Sequence, residues 1–208
     1  MPYISVSGEY RSEKVIERSR FITTSLHVEG EEEARAFIAR INAEFKDATH
    51  NCYAYIADAT GNAPRFSDDG EPSGTAGMPI LEVIKNKKIF CTAVVVTRYF
   101  GGIKLGAGGL VRAYSGCTAE NLDGAVKLIY MPCEEYRYTV GYDSIDLCNR
   151  LFEKRDCELK GVEYLSDVTF TVAVKKELAP DFNYALTDLL GGRLKTEKLR
   201  EFECGFKL

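Results

Sequence analysis

The chain of 208 residues has no tryptophan, two histidines and three methionines, and none of its seven cysteines stands in a C-x-x-C pair. His50-Asn51-Cys52 is the one place with two neighbouring candidate metal ligands, and no second pair completes a zinc site. No run approaches ~18 consecutive apolar residues, which excludes a membrane-spanning helix. The opening Met1-Pro2-Tyr3-Ile4-Ser5 lacks the basic-then-apolar layout of a secretory leader, so a cytoplasmic location is expected. There is no long polar tract, no low-complexity segment and no internal repeat, and 11% of residues are aromatic. Disorder is excluded on that ground.

What is present fits a soluble globular protein with one large domain or two small ones. The cysteines (52, 91, 117, 133, 148, 157 and 204) are odd in number and several sit in apolar segments. Free thiols in a reducing compartment account for them better than a disulfide framework. Taken over the whole chain, the net charge of −4 argues against a nucleic-acid partner. Locally it does not. Between Val83 and Ala119 there is no Asp or Glu, while Lys85, Lys87, Lys88, Arg98, Lys104 and Arg112 all fall there. At the chain average about 5.5 acids are expected in that window, so the bias favours a local basic face.

Apolar spacing outlines the elements. Ile22, Leu26 and Val28 share one face of a strand beginning at Phe21, and residues 31–45 carry apolar residues at helical spacing behind three glutamates. Cys52 to Ala57 reads as a strand, and Ile89 to Thr97 as a strand buried on both faces. A helical segment is expected to stop before Pro132, giving domains over 1–131 and 132–208 with net charges of −1 and −3. The second domain then reads strand, helix, two strands, helix, strand, the ferredoxin-like βαββαβ order, with Gly191-Gly192 closing its second helix. Its third strand, Asp167 to Val172, lacks the aromatic RNP1 pattern of base-stacking RNA modules.

Two glycine-rich stretches interrupt the first domain. Ser67 to Gly77 sets Asp68, Asp69, Glu71, Ser73 and Thr75 among glycines ahead of a helix with Pro79 just inside its start. It reads either as an acidic turn before a capped helix or as a cation or proton-transfer site with His50 nearby. Thr97 to Arg112 carries Gly101, Gly102, Gly106, Gly108 and Gly109 and leads into a helix with Leu110, Val111, Tyr114, Cys117 and Leu122 on its packed side. It matches neither the Walker A nor the dinucleotide-binding pattern. Arg98, Lys104 and Arg112 around glycines at a helix start suit contact with phosphate, or a tight turn with surface cations.

The runs D-D-G-E-P-S-G-T-A-G at 68–77 and R-Y-F-G-G-I-K-L-G-A-G-G-L-V-R-A-Y at 98–114 resemble the signatures of the YigZ/IMPACT family. Ala48 to Cys52 and Ser19-Arg20-Phe21 fit the same pattern. The resemblance implies an α+β chain: a ribosomal protein S5 domain 2-like fold, then the small ferredoxin-like domain of bacterial members. This pairing is similar to the two C-terminal domains of elongation factor G. Eukaryotic members regulate translation by competing for the activator of a starvation-sensing kinase, and the translation link alone carries over.

The expectation is therefore a translation-associated regulator, with no catalytic residue, metal or cofactor assigned. Its glycine loop contacts RNA or a ribosomal or translation-factor surface through Arg98, Lys104, Arg112 and the five loop glycines. An acidic protein is the alternative partner for that basic face. His50, Asp68, Asp69, Glu71, Ser73 and Thr75 form a further functional-surface set. The alternative activity is a metal-assisted phosphoester hydrolase or nucleotide-handling enzyme using Asp68, Asp69 and Glu71.

Overall fold

The structure, a computed structural model, describes residues 2–154 and 157–208; Met1, Arg155 and Asp156 lie outside them. The chain divides into two compact units, Pro2–Ile129 with Lys207–Leu208, and Tyr130–Phe206. No helix among the described residues is long and apolar enough to cross a membrane. None of the seven cysteines forms a disulfide.

The first unit is an antiparallel sheet covered on both faces. Its elements are β1 (Tyr3–Val6), β2 (Tyr10–Ile16), β3 (Ser19–His27), α1 (Glu31–Glu44), β4 (His50–Ile56), β5 (Pro64–Ser67), α2 (Gly77–Lys87), β6 (Thr92–Tyr99) and α3 (Gly106–Gly124). The sheet runs β2-β3-β6-β4-β5, so β6 is central. Alternation along β6 explains its nearly continuous apolar run. Val94 and Val96 pack with Ile80 and Ile84 of α2 and Tyr114 of α3, whereas Ala93 and Val95 pack with Phe37, Ile38 and Ile41 of α1. Each such buried valine, isoleucine or phenylalanine side chain contributes roughly 1.5–3 kcal/mol.

Two boundaries differ from the sequence reading. The strand expected from Ile89 starts at Thr92, because Lys88 caps α2 in the left-handed region (φ 53°) and Cys91 also has positive φ. Ile89 instead bridges Ile4 of β1. The helix expected to end near Pro132 stops at Gly124, and β7 (Lys127–Val140) is a continuous strand through Pro132. Pro132 stands one residue before the pairing with the next strand but one in sequence, which begins at Cys133.

The second unit adds α4 (Ile145–Lys154), β8 (Cys157–Tyr164), β9 (Val168–Lys175), α5 (Ala179–Leu189) and β10 (Leu194–Lys207). β9 pairs antiparallel with β7 and β8, and β10 pairs with β7, which gives the order β8-β9-β7-β10 of a ferredoxin-like sheet. Tyr138, Val172, Phe152, Phe182 and Leu186 fill the core between the sheet and the two helices. The backbone N–H groups of Gly191 and Gly192, both at positive φ, bond to the carbonyls of Asp188 and Thr187 and close α5.

Candidate functional site

Register brings the two glycine-rich stretches together. Arg98, near the end of β6, lies opposite Phe21 of β3 on one side and His50 of β4 on the other. The loop after β5 turns over this end of the sheet, and Glu71 reaches Arg98 there. Glu71 Oε1 accepts from Arg98 Nη1 at 2.6 Å and from the Tyr114 hydroxyl at 2.8 Å. Arg98 Nη2 donates to Ser19 Oγ at 3.2 Å, and the guanidinium lies 5.5 Å from the Phe21 ring centroid and 5.4 Å from that of Phe100. Glu71 is 8% exposed, Arg98 4% and Tyr114 fully buried. Burial pushes the Tyr114 phenol far above its ordinary range, with Cys52 and Glu71 adding to the effect. The Cys52 sulfur lies 3.0 Å from the Asp68 carbonyl oxygen and 3.3 Å from the Tyr114 oxygen, its single S–H shared between them, and burial raises its thiol to about 12.

The acidic stretch is committed to holding the loop. Asp68 Oδ1 accepts from the backbone N–H of Ala76 and Gly77 and Oδ2 from that of Gly74, so it caps α2 from outside the helix. Asp69 accepts from the Asn51 N–H at 2.6 Å, and its carbonyl accepts from His50 Nδ1 at 2.7 Å. His50 Nε2 lies 3.8 Å from Glu71 Oε2. Thr75 donates to the Pro72 carbonyl, and Ser73 is exposed. Of the two readings of this stretch, the geometry favours the acidic turn before a capped helix. The described residues contain no group of three or more His, Cys, Asp or Glu arranged to hold a metal ion.

The reading of Arg98 as a phosphate contact is corrected by its burial: its two terminal nitrogens serve Glu71 and Ser19, and its Nε is enclosed without a partner. The acid-free window is also less positive in space than along the chain. Lys85 pairs with Glu82, Lys87 with Asp123 and Arg98 with Glu71, each acid lying outside the window.

Exposed charge remains on Lys104 and Arg112, which line a groove of about 540 Å³ with Ile16, Glu17, Ile103 and Leu105. Gly102 and Gly106 bend the loop at positive φ (87° and 70°), and Gly108 and Gly109 lie in the first turn of α3. Gly101 is there for space: a Cβ on it would stand 2.0 Å from the Arg18 carbonyl oxygen. The first turn of α3 has no acidic residue and no side-chain cap, and Phe100 beside it is 46% exposed. Sequence reasoning placed Tyr114 in the core and missed its hydroxyl. A buried tyrosine generally has a polar partner, and that was the available signal.

Residues 17–122 match the family described as the Impact N-terminal domain, and residues 139–193 a domain of unknown function, DUF1949. The chain is 39% identical to the IMPACT family member YvyE of Bacillus subtilis, over 92% of this chain and 88% of that one. It is 36% identical to the IMPACT family member YigZ of Escherichia coli, over 89% and 92% of the two chains. An IMPACT family member of Thermus thermophilus is 40% identical, over 88% and 99%. A crystal structure of a hypothetical protein superposes with a TM-score of 0.63 at 32% identity, covering 96% of this chain and 98% of that one. Matching family domains in both units, and relatives this similar over nearly their whole length, lead to one conclusion: the chain belongs to the IMPACT family.

Proposed function

We propose that this protein is a translation-associated regulator whose N-terminal unit binds RNA on a ribosomal surface. The observation that carries this reading is the exposed pair Lys104 and Arg112 lining one groove at the uncapped start of α3. Unsatisfied N–H groups at a helix start and two cations favour phosphate oxygens, and the half-exposed Phe100 beside them offers a stacking face. Glu17 on the same groove opposes anions and limits how many phosphates enter. Glu71, Arg98 and Tyr114 hold the two loops in place rather than touching the ligand. The translation link rests on the family resemblance, and the RNA contact on the groove.

Ribosome co-sedimentation and RNA filter binding across a salt series test the proposal. Lys104→Ala and Arg112→Ala each weaken binding and flatten the dependence on log salt by about 0.7–0.9 per lost phosphate contact. Unchanged affinity and slope in both variants overturn it.

A further inference from the structure

Helix α5 carries apolar side chains on two faces, and the fold uses only one of them. Ala179, Phe182 and Leu186 point into the core of the second unit. A second stripe, Asp181, Tyr184, Ala185, Asp188 and Leu189, follows the i, i+3, i+4, i+7, i+8 spacing of a helix face and meets Leu151 of α4 across an open groove of about 480 Å³. Tyr184 is 76% exposed and Leu189 41%. Leu147, one turn before Leu151 on α4, is also exposed, at 36%. The exposed apolar residues therefore form a patch across two helices rather than scattered single side chains.

Among the described residues the charge lining this groove has one sign: Asp181 and Asp188 line it, no basic residue does, and α5 contains no Lys or Arg. Among the described residues neither carboxylate has a side-chain hydrogen bond or an ion pair. Seven residues apart, they stand about 10.5 Å from each other along the helix, bracketing Tyr184 and Ala185. A nucleic acid is repelled by such a lining, and an uncharged apolar partner leaves both carboxylates facing its surface. The complement is a helix with an apolar stripe and Lys or Arg two turns apart.

We infer that the α4–α5 groove is a docking site for a basic amphipathic helical segment of a protein partner, Leu151, Ala185 and Leu189 seating its apolar face while Asp181 and Asp188 pair with its cations. This site is independent of the glycine loop and of the RNA reading placed there.

The probe is a fluorescein-labelled peptide of about 18 residues, long enough to hold a helix, with leucines on one face and lysines seven apart. Its anisotropy is measured with the full chain, beside a scrambled peptide of identical composition, and amide NMR shifts locate the contact. The expected result is saturable binding at least about tenfold tighter than the scrambled peptide, with shifts confined to α4 and α5. The double variant Asp181→Lys, Asp188→Lys and the separate variant Leu189→Ser each weaken it by about tenfold or more while the chain stays folded, Tm falling by no more than a few degrees from the changed charge in the first turn of α5. Absence of binding, equal affinity for the scrambled peptide, indifference to charge reversal or shifts elsewhere overturn the inference. So does self-association of the wild type that Leu189→Ser abolishes, which makes a second copy the occupant.

Discussion

Glu71 and Arg98, 27 residues apart in sequence, form a buried ion pair at 2.6 Å that joins the acidic loop to the end of the central strand. Tyr114 adds the first part of α3 to the same carboxylate oxygen. Three segments are thereby fixed by one acidic side chain. Removing either charge leaves the other buried without compensation, which costs about 3–5 kcal/mol. Glu71→Ala and Arg98→Ala are each expected to lose stability on that scale in urea unfolding. The double variant loses clearly less than the sum, because the second substitution removes a charge already stranded.

The hairpin joining β2 and β3 turns through Glu17 and Arg18 alone, with φ of 45° and 63°. Positive φ at both central residues is the two-residue turn that fits strand twist, and its usual residues are Asn and Gly. Side chains larger than these cost roughly 1–2 kcal/mol per residue in that region. Replacing the pair, Glu17→Asn with Arg18→Gly, is expected to raise stability by about 1–2 kcal/mol in chemical denaturation. Since Glu17 lines the groove beside Lys104 and Arg112, its removal also strengthens RNA binding at low salt on the proposed function.

That turn shows where the sequence was silent. Glu17-Arg18 carries no turn signal, so β2 went unread, as did β1 and the short β5. Periodic apolar residues made α1, α4, α5 and β9 readable, because burial of one face imposes a spacing. The site was legible by residue type and not by environment. Arg98 was identified as a notable cation, but no one-dimensional pattern announces that its partner stands 27 residues upstream in a loop. The same limit applies to the basic window, where Asp123 and Glu82 neutralise lysines from just beyond its edges. Gly101 was assigned to shaping a phosphate loop, and its nearest demand is the close approach of the Arg18 carbonyl.

Burial raises the thiols of Cys52 to about 12 and of Cys117 and Cys148 to about 11. At pH 8 these three are protonated and enclosed, so the native protein is expected to react with a disulfide reagent at them only through unfolding. Their folded values lie above the unfolded value of about 9, so at alkaline pH the unfolded chain binds fewer protons than the native one. The stability they contribute is complete below pH ~9 and is lost as the pH rises from there through 11 and 12. Tm measured across that range falls progressively, and conversion of all three to alanine or serine flattens the decline. A Tm independent of pH in this window contradicts the assignment.

Asp68 decides between a structural and a cation-binding role for the acidic loop. Its two oxygens accept three backbone N–H bonds from Gly74, Ala76 and Gly77, which would otherwise have no partner at the start of α2. Asn at this position retains one acceptor oxygen and sets an amide group where the other carboxylate oxygen took its bond from Gly74. Asp68→Asn is therefore expected to destabilise the protein by about 1–3 kcal/mol, the cost of stranding a donor in a partly buried loop. Hydrogen exchange localises the loss to residues 70–80. The carboxylates of Asp69 and Glu71 are engaged as well, by Asn51 and by Arg98 with Tyr114. Millimolar Mg²⁺ or Ca²⁺ consequently leaves the wild-type Tm unchanged, whereas a loop that bound either ion in its native state would gain stability in proportion to its occupancy. A rise in Tm with either cation, abolished in Asp68→Asn, would instead place a metal among these carboxylates and require that the backbone bonds be exchanged for it.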